Sequence, residues 1–69
     1  MEKTVIENKV NKLRQEKSVT QEDLAEKVGV TRQTIIAIEK GNYTPSVALA
    51  LKISDFFNTT VENVFKIKN

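Results

Sequence analysis

The chain has 69 residues, a net charge of +2, and neither cysteine nor histidine. That length suits one domain, residues 1–69, on a small core, and the composition excludes disulfides and the usual zinc sites, so no metal and no cofactor is expected. No run approaches the roughly 18 apolar residues of a membrane span and no charged-then-apolar leader marks export, so a cytoplasmic protein with no membrane partner is expected.

Residues 1–7 carry a β-leaning Thr4-Val5-Ile6 without a helical period, readable as a frayed terminus or as a short strand. A first helix is expected over about Asn8–Lys17, with Val10 and Leu13 inward, and Ser18-Val19 link it to the next. The stretch from Thr20 to Thr44 organises the chain. Thr20 with Asp23 three residues later makes a modified capping box for a helix over about Gln21–Val28, and Gly29 suits the left-handed residue at its end. Thr31 caps a second helix, about Arg32–Lys40, which Gly41 follows. Leu24, Ala25, Val28, Ile35 and Ile38 fall at spacings that give both helices one apolar seam, with Val30 in the turn. Two short helices about such a turn, at about residues 20–40, make a helix-turn-helix, whose second helix can enter the DNA major groove.

Pro45 suits the first turn of a fourth helix, with Thr44 or Ser46 as its cap, running to about Phe57. Its inward stripe is read as Val47, Ala50, Ser54 and Phe57, with Leu51 and Ile53 beside it; Leu49 and Phe56 leave it apolar nearly all round, which calls for a second covering surface. Thr60 caps a short fifth helix, about Val61–Val64. The tail Val64-Phe65-Lys66-Ile67-Lys68 alternates like a half-buried strand. It is either a disordered tail or the partner of the first strand, giving terminal strands at about residues 3–6 and 64–68 in a ribbon at a dimer interface, with Phe65, Ile67, Val5 and Phe56 as the contact residues.

The motif resembles the helix-turn-helix of the phage-repressor and Cro-like family of small transcriptional regulators. The residues that carry the resemblance are Thr20-Gln21, Leu24-Ala25, Gly29-Val30, Thr31-Arg32-Gln33-Thr34-Ile35, Ile38-Glu39-Lys40-Gly41 and Pro45-Ser46, and the flanks extend it from about Asn8 to Phe65. The resemblance implies an all-α, five-helix lambda-repressor-like fold, to which some small members add a terminal antiparallel ribbon. It also implies an ion pair between Arg14 and Glu39, a glutamine on the DNA backbone at Gln21, and a loop after the recognition helix pressed on the sugar–phosphate chain.

With Ile35 and Ile38 inward, the opposite face of the second motif helix carries Arg32, Gln33, Ile36, Ala37 and Lys40. Arg32 can donate twice to guanine and Gln33 can pair with adenine, although both also read as solvated surface residues. Ala37 lets the backbone approach, and Ile36 either meets a thymine methyl or is partly buried on a neighbour. Phosphate contacts are expected from Gln21 at a helix start and from Lys40, Asn42, Tyr43 and Thr44, a core residue with a wet hydroxyl being the other reading of Tyr43. Thr31 and Thr34 cap or reach the DNA. Double-stranded DNA is the expected partner, bound by a homodimer on a palindrome, with no small-molecule ligand. A repressor is expected ahead of an activator; an antitoxin or a restriction–modification controller would look the same. The reading from another class is a protein-interaction module of the same fold. Nothing supports an enzyme: there is no phosphate-cradling Gly loop, and Glu22 and Asp23 are helix-start charges.

Overall fold

Four of the five helices begin with the same device and four end with the same device, which is how segments of only four to ten residues hold their shape. The computed structural model describes residues 5–68. In chain order the elements are β1 (Val5–Asn8), α1 (Val10–Lys17), α2 (Gln21–Val28), α3 (Arg32–Glu39), α4 (Val47–Phe56), α5 (Val61–Val64) and β2 (Phe65–Lys68). The hydroxyls of Thr20, Thr31, Ser46 and Thr60 accept the N–H groups of Asp23, Thr34, Leu49 and Asn63 at 3.0–3.3 Å, each satisfying a donor that a helix start leaves open. Asp23 completes the capping box by accepting the Thr20 N–H at 3.5 Å.

The ends of α1, α2, α3 and α4 are Schellman turns. Ser18, Gly29, Gly41 and Asn58 occupy positive φ there, at 56°, 77°, 78° and 56°. In α3 the N–H of Gly41 donates to the Ile38 carbonyl at 3.0 Å and that of Asn42 to Ala37 at 2.9 Å. In α2 the corresponding bonds run from Gly29 to Glu26 at 3.3 Å and from Val30 to Ala25 at 2.9 Å, and Val30 then packs on the core. The tight motif turn is thus a helix ending followed after one residue by a cap.

The helices close around Val10, Leu24, Ala25, Val28, Ile35, Ile38, Leu49, Ile53, Phe57 and Val64. α2 packs on α3 and α4, α1 on α3, and α4 on α5. Among the described residues no buried side-chain polar atom lacks a partner; Ser54, 2% exposed, donates its hydroxyl to the Ala50 carbonyl at 2.8 Å.

The all-α expectation holds only for the five-helix body. The termini form a two-stranded antiparallel sheet with Val5 opposite Lys68, Ile6 opposite Ile67, Glu7 opposite Lys66 and Asn8 opposite Phe65. Of the strand expected at about residues 3–6, 3 and 4 lie outside the described residues; 5 and 6 are in β1, which runs on to Asn8 and displaces the start of α1 from Asn8 to Val10. Val64 closes α5 and does not open the strand. Lys40 caps α3 and is not its last residue.

α4 departs in part from expectation. Ser46, not Thr44, is its cap, and Pro45 lies before the cap instead of inside the first turn. Its buried side is Leu49, Ala50, Ile53 and Ser54, continued by Phe57, whereas Val47 is 78% and Leu51 54% exposed. Ala50, Ser54 and Phe57 of the expected stripe are thus buried, with Leu49 and Ile53, and only Val47 is turned out of it; a helix apolar nearly all round gives its period little direction, and packing against α2 and α5 settled the edges of the stripe.

A Cβ at Gly29 would meet nothing within 4 Å, so the cost of Gly29→Ala is that of the backbone alone. It should destabilise by about 1–2 kcal/mol, lowering Tm by roughly 5–15 °C, while Gly29→Asn, more tolerant of positive φ, should lose less. Thermal melts followed by circular dichroism check both.

Candidate nucleic-acid interface

One carboxylate holds the second motif helix to the two helices before it. Arg14 Nε donates to Glu39 Oε2 at 2.6 Å and its Nη2 to Oε1 at 3.1 Å, the paired geometry in which arginine binds carboxylate most strongly. Asn11 Nδ2 and Gln21 Nε2 donate to the same Oε1 at 3.2 and 3.1 Å. The remaining Arg14 terminal nitrogen donates to the Val19 carbonyl at 2.9 Å, bracing the link between α1 and α2. The side chains of Arg14 and Glu39 are only 9% and 7% exposed. Burial pushes the Glu39 carboxyl upward, but donors from Arg14, Asn11 and Gln21 outweigh it and hold the group below its ordinary value. The hydrogen bond to Glu39 raises Arg14, against its own desolvation. The pairing of Arg14 with Glu39 was what the family resemblance implied; the arrival of Asn11 and Gln21 on the same oxygen was no part of that expectation.

So anchored, α3 turns Ile35 and Ile38 wholly into the core, at 0% and 1% exposure. Its first turn presents Arg32 and Gln33 to solvent. Ile36 and Ala37, farther along, are half-buried. Thr31 and Thr34 are in the first instance cap residues, their hydroxyl oxygens 3.2 Å apart. About 12 Å along the helix, Lys40, Asn42, Tyr43 and Thr44 form an exposed rim; Tyr43 is 47% exposed and so is no core residue.

Gln21 is half-buried, and one of its amide hydrogens is committed to Glu39. An amide nitrogen carries two hydrogens, so the bond orients Gln21 and leaves a second donor. It sits beside the open N–H groups of the α2 start, which favour an anion. Glu22, Asp23 and Glu26 are exposed on the same helix and confine any phosphate to its Gln21 edge. Glu22 and Thr20 line one surface depression together with Arg32, a neighbourhood that sequence spacing did not reveal.

The residues expected at a dimer interface do not share one face. Strand register sets Phe65 and Ile67 on one side of the ribbon and Val5 on the other, with Glu7, Lys66 and Lys68. Phe65 packs on the core, Ile67 is 63% exposed, and Phe56 meets Phe57 edge-to-face at 5.0 Å. Among the described residues no group of His, Cys, Asp or Glu could hold a metal ion, and no helix is long and apolar enough to cross a membrane.

A family model described as helix-turn-helix matches residues 10–64. The chain is 55% identical over 60 residues to an HTH-type transcriptional regulator of Methanocaldococcus jannaschii, covering 87% of this chain and 91% of that protein. It is 32% identical over 54 residues to the transcriptional repressor RstR of the cryptic phage CTXphi in Vibrio cholerae, over 78% of this chain and 49% of that protein. Among solved structures, the restriction-modification controller protein C.AhdI from Aeromonas hydrophila is similar with a TM-score of 0.74 at 25% identity, over 80% of this chain and 83% of that one.

Because the folded carboxyl of Glu39 lies below its unfolded value, its contribution to stability is complete above the ordinary carboxylate range and is lost as pH falls through the folded value. Tm should therefore fall as pH drops below about 4. Glu39→Gln, which leaves Arg14 buried without its counter-charge, should cost about 3–5 kcal/mol at neutral pH, much of the stability of so small a chain. Melts across pH check both.

Proposed function

This chain belongs to the helix-turn-helix family of transcriptional regulators, of the phage-repressor and Cro-like kind, and from that premise we propose that it binds double-stranded DNA sequence-specifically as a homodimeric repressor. The observation that carries the proposal is the division of α3 into two sides. Ile35 and Ile38 are sealed in the core, while Arg32 and Gln33 stand in solvent at the end that a docked recognition helix brings to the bases.

In this reading α3 lies in the major groove. Arg32 donates to a guanine and Gln33 pairs with an adenine. Ala37 permits the close approach, and Ile36 presents what remains exposed of its side chain to a thymine methyl. Gln21 and the start of α2 hold one phosphate. Lys40, Asn42, Tyr43 and Thr44 hold the backbone beyond the other end of α3, with the hydroxyls of Thr31 and Thr34 adding contacts at its start. Phosphates at both ends fix register, and the bases between them are then read in one geometry. Repression follows by occupancy, since a protein seated on a promoter excludes polymerase without further chemistry.

A single α3 reads few base pairs, and a two-fold dimer would set two of them about 34 Å apart on a palindrome. Val47, Ile67 and Leu51 are 78%, 63% and 54% exposed, apolar surface that a second copy would cover. Selection of bound duplexes from a random pool tests the whole reading; recovery of a palindrome with half-sites one helical turn apart supports it, and retention of no duplex in dilute salt ends it.

Arg32→Ala should cost about 1–3 kcal/mol on the selected duplex and relax one base position, whereas Lys40→Ala should weaken all duplexes alike and reduce the salt slope by about one. Titrations on selected and scrambled duplexes at several salt concentrations separate the two. Ile67→Lys should shift the mass measured by light scattering toward the protomer and weaken binding to the palindrome more than to a half-site.

A further inference from the structure

The corner where the ribbon meets α1 is built differently from the other helix starts. Lys9, at the cap position of α1, makes no side-chain cap bond. The cap comes from one residue earlier, where Asn8 Oδ1 accepts the Val10 N–H at 3.1 Å. The other half of the same amide faces away from α1: Asn8 Nδ2 donates to the Ile38 carbonyl at 2.9 Å, 30 positions along the chain. That carbonyl belongs to the last turn of α3, where acceptors lack intrahelical donors, and it also receives the Gly41 N–H at 3.0 Å. Lys9 in turn donates its backbone N–H to the Val64 carbonyl of α5 at 2.9 Å. Two consecutive residues thus join β1 to α1, α3 and α5.

The bond to Ile38 is a direct polar link between the terminal ribbon and the recognition helix, and it lands where α3 turns into the Lys40–Thr44 loop. We propose that Asn8 is a positioning residue for DNA recognition: through the Ile38 carbonyl it sets where the C-terminal end of α3 and that loop lie, and so the tilt at which Arg32 and Gln33 meet the bases. The proposal rests on the DNA-binding reading above. α3 is eight residues long, a rod of about 12 Å, so a shift of about 1 Å at its far end turns it by about 5°. That is enough to redirect the Arg32 and Gln33 side chains against base edges whose paired hydrogen bonds are directional. The N-terminal end is kept by the Thr31 cap and the buried Ile35; the far end depends on Ile38, Glu39 and this bond.

The chemistry of the amide provides the test. Asn offers an acceptor and a donor from one planar group, whereas a carboxylate of the same shape offers acceptors alone. Asn8→Asp therefore keeps the cap on Val10, removes the bond to Ile38, and sets a negative charge at the negative end of the α3 dipole. The experiment measures the affinity of wild type and Asn8→Asp for the selected and a scrambled duplex at one salt concentration. It also follows exchange of the Asn8 side-chain amide hydrogens by NMR in the free wild-type chain.

The proposal expects a cooperative melt in Asn8→Asp, a selected-to-scrambled affinity ratio at least fivefold below wild type, and an Asn8 amide that exchanges more slowly than that of exposed Asn42. Equal losses on both duplexes, which added charge or simple destabilisation would produce, would overturn it. So would an Asn8 amide that exchanges as fast as that of Asn42. Should Asn8→Asp fail to melt cooperatively, Asn8→Ser, which keeps an acceptor for Val10, is judged by the same ratio. Failure of wild type to prefer any duplex would remove the DNA-binding reading itself; a wild type that reads sequence beside a variant with an unchanged ratio would remove only the role of Asn8.

Discussion

The fold depends on a carboxylate almost shut off from water. Glu39 stands at the end of α3 and receives Asn11 and Arg14 from α1 and Gln21 from α2. An unpaired charge at that depth would be costly; with donors from two other helices it becomes a joint. The orientation of α3 is therefore set by directional bonds as well as by the burial of Ile35 and Ile38. The same joint orients Gln21 at the start of α2, so the element expected to read bases and a residue expected to hold phosphate share one support.

Around that joint the structure is made of short helices that could not persist alone, since isolated helices of this length are marginal in water. Repeated local devices compensate. Hydroxyl caps at Thr20, Thr31, Ser46 and Thr60 and positive-φ endings at Ser18, Gly29, Gly41 and Asn58 satisfy backbone groups that would otherwise need water. These devices also make the turns abrupt. Helices that stop and restart within three residues bring α2 and α3 together at a fixed angle, and an exposed recognition face requires that rigidity.

The ribbon enlarges the picture of a helical DNA-binding domain. It is tied to the body through Phe65 on the core, Lys9 on Val64 and Asn8 on Ile38. Two strands alone are marginal; these lean on the helices and in return touch the end of α3. The outer face, with Val5, Glu7, Lys66 and Lys68, stays in solvent.

What the sequence determined by itself is whatever is local. Thr20 with Asp23, Gly29, Thr31, and the inward Leu24, Ala25, Val28, Ile35 and Ile38 all act within a turn or two of their own position, so the motif and the faces of α2 and α3 could be read directly. The alternation of Phe65-Lys66-Ile67-Lys68 allowed a strand or a disordered tail, and the pairing with Val5–Asn8 at the other end of the chain decided for the strand. Tertiary structure alone decided matters that need a distant partner. The edges of the buried stripe of α4 were degenerate in its own period and were settled by α2 and α5, which turned Val47 and Leu51 outward. Asn8 looked like the start of a helix and became instead a bracket between Val10 and Ile38, because the donor and acceptor of one amide found partners 2 and 30 residues away. Hydrogen-bond capacity is written in the residue type; the group that meets it is written only in the fold.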